Sequence, residues 1–591
     1  MFRGTGLRFL LPYTRPYRGH LLLGLLYAMI GAGASAFSPA LLGMAIDRLR
    51  SGAQLDVLLW YALGLVALAS TLALFRYLLR MLSGGVAVGV TYTMGQDLFA
   101  RLLQLDQRAL QQYGTGDLLS RGTSDFIYVW RFFSAGFQMS AHALFLLAIG
   151  CALMGLSSPL LAAIVVVMLV LSMAVQLGMN QTIERAFVRV QRQLARMSAF
   201  SQEHLSAARM LAAYNQEQPA IAAFDRVSNA YAQENLRYVL LSNAVTPLPN
   251  LVVRLAATLV LAIGGVLIIA GRLSIGQYVQ FIVYLGLLSN AATQLSRAIE
   301  RLQQGSAAAG RIGEVLLRQP NIADAPDALD LAAEGALRFE RAGVRHQGRW
   351  VLRDITLDVP AGTTLGIVGA TGAGKSTLLS LLSRVYDPDA GRVLLDGHDI
   401  RGVKLAALRR AIGYVPQETL LFGMSLRENI AFEGAEVADE LVHRAMRIAR
   451  LSNDLPQLPQ GLDTTVGERG TTLSGGQRSR TAIARALVRD PAILVLDDSL
   501  SNVDAHTAAQ IVDELQATRR GRTTLIVSQR IAAVQDADQI VVLDDGRIAE
   551  QGTHARLLAQ GGLYAAMYRR ELEQARSEGA QTWTSDVRQQ T

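Results

Sequence analysis

Two adjacent aspartates end an apolar run in the stretch ILVLDDSLSNVD, residues 493–504. The apolar run predicts a buried strand, and the end of such a strand is a suitable place for carboxylates that hold a metal ion. Asp497 is the predicted metal ligand. Asp498 follows where a nucleotide hydrolase needs a longer carboxylate to activate water. The pair therefore raises the question of whether Asp498 is a competent base, a weak one or an inactive one.

A glycine-rich loop supplies the second half of this chemistry. The stretch GATGAGKST, residues 369–377, follows the strand-like LGIVG and precedes the helix-like TLLSLLSRV. This strand–loop–helix context confirms a phosphate-binding motif, in which backbone N–H groups and the helix N-terminus face the phosphates. The lysine would reach the β- and γ-phosphates, and the adjacent serine would ligate Mg²⁺. The predicted phosphate contacts are Gly369, Thr371, Gly372, Ala373, Gly374, Lys375, Ser376 and Thr377.

The second half of the chain has the pattern of a soluble α/β domain. Five short β-like runs alternate with helical stretches, which predicts a largely parallel sheet: LGIVG, RVLLD, ILVLD, TLIVS and IVVLD. This predicted domain covers residues 336–570. A linker rich in Pro, Asp and Ala precedes it at 318–335, and a polar tail follows at 571–591.

The first half, residues 1–317, predicts a membrane domain. Most of its long apolar segments reach the ~20 residues that a membrane-crossing helix needs. Links within successive pairs are short, whereas the longer stretches after the second and fourth segments are rich in arginine. By the positive-inside rule those stretches and the N-terminus are cytoplasmic. The six segments are roughly 20–46, 56–82, 132–157, 159–180, 238–270 and 275–296.

Composition supports this division of the chain. The 591 residues are 51% apolar and only 18% charged, with a formal net charge of +8. Because the arginines flank the apolar segments, the positive charge indicates a membrane protein and not a nucleic-acid partner. The only lysines are Lys375 and Lys404, so Lys375 is a conspicuous exception. Cys151 is the single cysteine, which excludes an intrachain disulfide.

The stretch LSGGQ at 473–477 identifies a family. With the phosphate loop, VPQETLLF, TTVGERG at 464–470, SNVD at 501–504 and RIAEQGTHARLL, it resembles ABC exporters. The resemblance covers almost the whole chain and implies six helices of the type IV exporter kind fused to an α/β P-loop cassette. The stretches 115–125 and 209–217 resemble the loop helices that contact cassettes. The family places such a chain in the cell (inner) membrane, with its N-terminus and cassette cytoplasmic.

The resemblance also implies a dimer that binds ATP and Mg²⁺. In the family, each ATP lies between one subunit's phosphate loop and the other subunit's LSGGQ. Gln417 would contact the metal and the attacking water, joining Ser376 and Asp497 at the metal. The residues that would face the partner's ATP are Ser474, Gly475, Gly476 and Gln477.

Three positions depart from the family pattern. Asp498 stands where a glutamate polarises the attacking water, Gln529 replaces the switch histidine, and His346 replaces the tyrosine that stacks on adenine. Aspartate is one methylene shorter, and withdrawing a carboxylate by roughly 1 Å can cost ~10²-fold in rate. With LSGGQ intact, these changes predict a slow site of the chain's own and a competent site shared with a different subunit. The chain thus resembles the degenerate half of a heterodimeric multidrug exporter.

Other interpretations stay open at the level of sequence. A homodimeric exporter or lipid flippase with slow ATPase activity is one, and a regulatory membrane protein that clamps ATP is another. The expected substrate is hydrophobic or amphipathic, which leaves drugs, lipids and peptides. Several polar residues in the last two segments either line a cavity or form hydrogen bonds between helices: Asn243, Asn250, Arg254, Gln277, Gln280 and Tyr284.

Overall fold

The computed structural model describes residues 5–432, 437–467, 470–518 and 521–573. The chain forms two compact units, the first comprising residues up to Gln104 and Tyr113–Gln319. The second comprises Leu105–Gln112 and the residues from Pro320 onward. Glu468 and Arg469 of the predicted TTVGERG loop, and residues 574–591 of the predicted tail, lie outside the described residues.

The first unit is helical. A 3₁₀ turn at Arg15–Tyr17 and a π-helical turn at Phe132–Gly136 interrupt the series. Its helices are α1 (Thr5–Thr14), α2 (Arg18–Arg50) and α3 (Leu55–Gln104), then, after the short α4 (Gln107–Gln111) of the second unit, α5 (Thr115–Gly122), α6 (Ser124–Arg131), α7 (Phe137–Ser157), α8 (Pro159–Ser206), α9 (Ala208–Ala213), α10 (Glu217–Val245), α11 (Leu248–Ile269) and α12 (Ile275–Leu316).

Long helices confirm the predicted membrane domain. The 50 residues of α3 extend roughly 75 Å, more than twice the thickness of the hydrocarbon core, so this helix is long enough to continue beyond the bilayer. The sixth predicted segment forms the first half of α12 but is less apolar, because Gln277, Gln280 and Asn290 interrupt it. Within the described residues, five helical stretches are long and apolar enough to cross a membrane: Arg8–Arg50, Leu55–Gln104, Thr115–Ser157, Pro159–Gln176 and Asn250–Ile269.

The fifth predicted segment, 238–270, is wrong as one continuous helix. Helix α10 ends at Val245, a turn covers Thr246 and Pro247, and α11 begins at Leu248. Pro247 has no N–H to donate to the preceding turn, so the helical hydrogen bonding is interrupted there, although Thr246 and Pro247 keep right-handed helical backbone angles. Asn243 therefore belongs to the long preceding helix and not to the spanning one.

Small residues and a few hydrogen bonds hold α12 against its neighbours. A Cβ on Gly43 would lie 2.7 Å from the Gly276 carbonyl oxygen, so α2 and α12 approach backbone to backbone. The Tyr284 hydroxyl donates to the Ala36 carbonyl at 2.7 Å, and Gln280 Nε2 donates to Ser157 Oγ at 3.3 Å. These contacts favour interhelical hydrogen bonding over cavity lining for the polar residues of the sixth segment.

The second unit contains two sheets and the helices around them. Short 3₁₀ turns lie at Ile400–Gly402, Leu451–Gln457, Gly461–Asp463 and Ile531–Ala533. The strands are β1 (Leu337–His346), β2 (Arg349–Val359), β3 (Thr364–Gly369), β4 (Ala390–Leu395), β5 (His398–Asp399), β6 (Ile412–Val415), β7 (Ile493–Asp497), β8 (Thr523–Val527), β9 (Gln539–Asp544) and β10 (Arg547–Gly552). The helices are α13 (Lys375–Leu382), α14 (Leu405–Ala411), α15 (Leu426–Ala431), α16 (Asp439–Ile448), α17 (Gly475–Leu487), α18 (Ala505–Ala517), α19 (His554–Gln560) and α20 (563–573).

The larger sheet has the strand order β10-β9-β3-β8-β7-β6 and is parallel except between β9 and β10. Its central strands are buried apolar runs, as a sheet covered on both faces requires. One predicted strand is placed differently, because RVLLD lies in the antiparallel sheet β2-β1-β4-β5. The carboxyl ends of β3, β6, β7 and β8 meet along one edge, where an open α/β sheet binds its ligand.

Candidate nucleotide site

The phosphate loop joins β3 to α13. Gly369 has φ 156°, and a Cβ there would lie 2.3 Å from the Leu543 carbonyl oxygen, so only glycine fits. Gly374 has φ 99° and lies just before α13, where a Cβ would lie 2.7 Å from Leu352. Lys375 Nζ donates to the carbonyls of Gly369 and Ala370 at 2.7 and 2.9 Å. The loop therefore wraps the Lys375 side chain and ends at the N-terminus of α13. Backbone N–H groups at such a loop and helix start can bind a phosphate.

A buried carboxylate faces the start of α13. Asp497 ends β7 and is only 4% exposed. Ser376 Oγ donates to its Oδ1 at 3.4 Å, and the Tyr414 hydroxyl donates to its Oδ2 at 3.0 Å. Sequence reasoning missed Tyr414, although it stands three residues before Gln417 on β6. The tyrosine fixes one carboxylate oxygen and leaves the other beside the serine.

Three residues predicted to handle water lie together at the sheet edge. The Gln417 side-chain amide donates to Asp498 Oδ2 at 3.3 Å, and the Gln529 backbone N–H also donates to this carboxylate. Burial raises the pKa of the Asp498 carboxyl above its ordinary value, despite the Gln529 N–H and the nearby Lys375 charge. Burial likewise lowers the pKa of Lys375, against the charges of Asp498 and Asp497. The Asp498 carboxylate is therefore held by two hydrogen bonds, one from the Gln417 side chain and one from the Gln529 backbone.

The LSGGQ stretch forms the start of α17. Ser474 is the N-cap, its Oγ accepts from the Gln477 N–H at 3.2 Å, and Gln477 Oε1 accepts from the Ser474 N–H at 3.0 Å. This capping box leaves the serine exposed at a positive helix end. Among the residues that the structure describes, no hydrogen bond or ion pair joins this helix start to the phosphate loop. Within the described residues, this exposed helix start therefore has no polar contact with the phosphate loop of its own chain.

The predicted adenine platform lies at the tip of the β1–β2 hairpin. His346 ends β1, pairs with Arg349 across the turn and is exposed. Trp350, an aromatic residue four positions after His346, packs against Gly343, and the Arg345 guanidinium lies 4.1 Å from its ring centre. Since the Trp350 ring already has this cation–π partner, His346 is the freer ring for stacking on a base.

Residues 105–112 belong to the cassette unit, which the sequence did not predict. The Asp106 side chain caps α4 and accepts from the Asn321 N–H at 2.9 Å. Arg108 pairs with Asp389 at 3.2 Å and donates to the Arg345 carbonyl at 3.2 Å. The predicted loop-helix stretch 115–125 instead forms α5 and α6 of the helical unit. A segment between two membrane helices is thus bonded next to the predicted adenine platform.

Comparisons with known proteins cover both units. Residues 352–501 match the family model described as ABC transporter. Residues 21–292 match the family model described as ABC transporter transmembrane region. The first match falls in the second unit, and the second match falls in the first unit except for residues 105–112.

Similar full-length proteins have the same two-part organisation. The chain is 34% identical to the Bacillus subtilis protein YheI, "Probable multidrug resistance ABC transporter ATP-binding/permease protein", over 90% of this chain and 92% of that one. It is 30% identical to the ATP-dependent lipid A-core flippase of Salmonella typhimurium, over 96% of this chain and 98% of that one. Among solved structures, a bacterial Atm1-family ABC exporter with ATP bound superimposes with a TM-score of 0.81 at 27% identity, covering 94% of this chain and 98% of that one.

Proposed function

This chain belongs to the ABC transporter family, and we propose that it exports a hydrophobic or amphipathic substrate as one half of a heterodimer. It is a multi-pass membrane protein with an ATPase cassette coupled to transport. The observation that carries the proposal is the tethered Asp498 carboxylate beside an intact phosphate loop and an exposed LSGGQ helix start. The relatives named for multidrug resistance and lipid A-core transport support a substrate with an apolar part.

We propose that Mg²⁺ accompanies ATP at the edge of the larger sheet. Ser376 Oγ and the Asp497 carboxylate lie together, and both are hard oxygen ligands of the kind Mg²⁺ prefers. No cluster of three or more His, Cys, Asp or Glu side chains suited to a metal occurs among the described residues. The remaining ligands would come from the Gln417 side-chain oxygen, from phosphates and from water, since Mg²⁺ at nucleotide sites usually keeps phosphate and water ligands.

The proposed dimer follows from the separation of the two half-sites within one chain. The exposed Ser474 hydroxyl and the free N–H groups at the start of α17 would face an anion from another chain, because no hydrogen bond or ion pair joins them to the chain's own phosphate loop in the described residues. A second subunit's ATP would supply that anion. The proposed partner has a glutamate and a histidine at the positions of Asp498 and Gln529. A homodimer is the second candidate, favoured by the presence of both half-sites in this one chain.

We expect the chain purified alone in lipid nanodiscs to bind Mg-ATP but to turn it over very slowly. The reason is the withdrawn Asp498 carboxylate, whose misplacement by roughly 1 Å costs ~10²-fold. Equilibrium binding of radiolabelled ATP and phosphate release are the two measurements. Brisk ATPase activity without any second chain would overturn the heterodimer. ATP-driven dye uptake into inside-out vesicles that contain both chains tests export itself, with vesicles lacking this chain as the control.

The chain's two lysines provide a matched test of nucleotide binding. Lys375→Ala should weaken ATP binding at this chain's own site roughly 10- to 100-fold, because it removes a charge-assisted hydrogen bond to the phosphates. Lys404→Ala removes the only other lysine, which pairs with Asp330 at 3.3 Å away from the phosphate loop. Titration with a fluorescent ATP analogue measures both variants. Equal weakening in the two would contradict the role of Lys375.

A further inference from the structure

A cavity of about 340 Å³ lies within the helical unit, between α2, α3, α12 and the beginning of α7. Its volume is at the lower end of small-molecule sites, sufficient for a head group and part of a chain. Tyr27, Leu72, Phe75 and Leu79 provide apolar walls. None of the intramembrane polar residues identified from the sequence lines it. The cavity is thus a separate feature from the nucleotide site and from the polar contacts of the sixth segment.

The cavity is lined by positive charge without a counter-charge. Arg76, Arg80 and Arg301 line it, and no aspartate or glutamate is among its lining residues. None of the three forms an ion pair with an acidic side chain in the described part of the chain. Arg76 and Arg80 are exposed and Arg301 is partly buried, so each side chain remains in part accessible, but three like charges around one cavity repel one another. A bound anion would offset this repulsion.

A buried histidine gives an independent sign of a missing ligand. His142 lines the same cavity and is only 9% exposed. Its Nε2 is buried and has no hydrogen-bond partner. Buried polar atoms are nearly always hydrogen-bonded, so an orphan at a cavity wall indicates that an occupant completes it. Because Gln138 and Gln294 also line the cavity, donors surround the position where the occupant's polar group would lie.

The depth of the cavity indicates an amphipathic occupant. Arg76 lies 21 positions after Leu55, the first residue of α3, which places it roughly 30 Å along the helix. That length is close to the hydrocarbon thickness, so Arg76 and Arg80 lie near one membrane surface. On the predicted topology this is the cytoplasmic surface. A head group at that level would leave its chain in the apolar part of the bilayer.

We propose that this cavity binds the anionic head group of an amphipathic substrate, a phosphate or carboxylate carried on an apolar chain. The arginines supply bidentate, permanently charged donors that match such oxyanions, and His142 Nε2 supplies one further hydrogen bond. The aromatic and leucine walls contact the first carbons of the chain. As a statement about the substrate, the proposal rests on the proposed function of export.

The test measures binding to the full-length protein in zwitterionic nanodiscs without nucleotide. The probes are radiolabelled dodecyl phosphate below its micellar concentration, dodecyltrimethylammonium and methyl phosphate. Dodecyl phosphate should bind at least ~10-fold more tightly than the other two, because only it has both the anion and the chain. Tighter or equal binding of the cation would overturn the proposal. Equal binding of methyl phosphate would show a site for free anions and overturn the amphipathic part.

Variants link the binding to the cavity. Arg76→Gln with Arg301→Gln should weaken dodecyl phosphate binding at least ~10-fold, since two charge-assisted contacts are lost. Arg297→Gln is the matched control, because Arg297 is exposed on the same helix one turn earlier and does not line the cavity. Arg80→Glu should shift preference toward dodecyltrimethylammonium, a gain that misfolding cannot produce. Equal effects of the Arg297 control and the cavity variants would overturn the assignment.

Binding without nucleotide separates this proposal from the proposed function. If dodecyl phosphate binds as expected but ATP drives no uptake into vesicles, the export function is wrong and the anion site stands. If ATP drives dye uptake but dodecyl phosphate binds no better than the cation, export stands and the anion site is wrong.

Discussion

The double variant Asp498→Glu, Gln529→His should hydrolyse ATP at this chain's own site ~10²-fold faster or more. Glutamate extends the carboxylate by one methylene beyond the point where Gln417 Nε2 and the Gln529 N–H now hold it. Histidine adds a side chain that can contact the γ-phosphate and carry a positive charge, which glutamine cannot do. Together the changes restore a base and a phosphate contact at one edge of the sheet.

The measurement is single-turnover hydrolysis in the complex with the partner chain, whose own catalytic glutamate is first changed to glutamine. Only this chain's site is then observed. Asp498 has φ 46°, a left-handed backbone that aspartate tolerates better than glutamate, so the variant's melting temperature is measured in parallel. Asp545→Glu is the matched control for backbone strain, since Asp545 has φ 42° and lies in the β9–β10 turn. A variant that binds Mg-ATP, melts like this control and stays inactive would exclude these two residues as the cause.

Sequence alone predicted the parts of the nucleotide site that depend on local spacing. The phosphate loop could be read because its glycines, its lysine and its flanking strand and helix are contiguous in the chain. The same holds for LSGGQ, where Ser474 and Gln477 stand three residues apart as a capping box requires. The alternation of apolar runs and helical stretches predicted an α/β fold for the second half, and the structure confirms this fold class.

The contacts that decide chemistry here join residues far apart in the chain, and spacing does not show them. Gln417 and Asp498 are 81 positions apart, yet the amide of one holds the carboxylate of the other. The charged cavity joins helices α3 and α12, and its arginines look like isolated exceptions in the sequence. The predicted bounds of the fifth membrane segment were wrong at Pro247, because the apolar composition of the whole segment does not show where a helix is interrupted. In each case tertiary packing and not local pattern determined the outcome.

The departures from the family pattern lie on one side of the proposed dimer. Asp498 and Gln529 belong to the half-site built on the phosphate loop, whereas the LSGGQ stretch at 473–477 matches the family. This difference between the two half-sites is expected of a subunit that retains ATP at its own phosphate loop and completes the site where its partner hydrolyses ATP. Substitutions in the two half-sites should therefore have unequal consequences.

Ser474→Arg should reduce ATP turnover of the assembled transporter at least ~10²-fold, the usual loss when a donor to a developing negative charge is removed. The serine is exposed at the start of α17. In the proposed dimer, an arginine there would occupy the position of the other subunit's γ-phosphate. The substitution also removes an N-cap, which alone costs about 1 kcal/mol of stability. Thr553→Arg is the matched control, because Thr553 caps α19, is equally exposed and lies outside the nucleotide site.

Comparison of Ser474→Arg with Lys375→Ala decides which dimer forms. In a heterodimer, Ser474→Arg damages the competent site and abolishes most turnover, whereas Lys375→Ala damages only the slow site and leaves most turnover intact. In a homodimer every site contains both residues, so both variants should abolish turnover. Phosphate release from the purified assembly measures the difference, with Thr553→Arg correcting for stability. Turnover that survives Ser474→Arg at the level of Thr553→Arg would contradict a role for LSGGQ in either assembly, because a bulky cation cannot occupy a working γ-phosphate contact without effect.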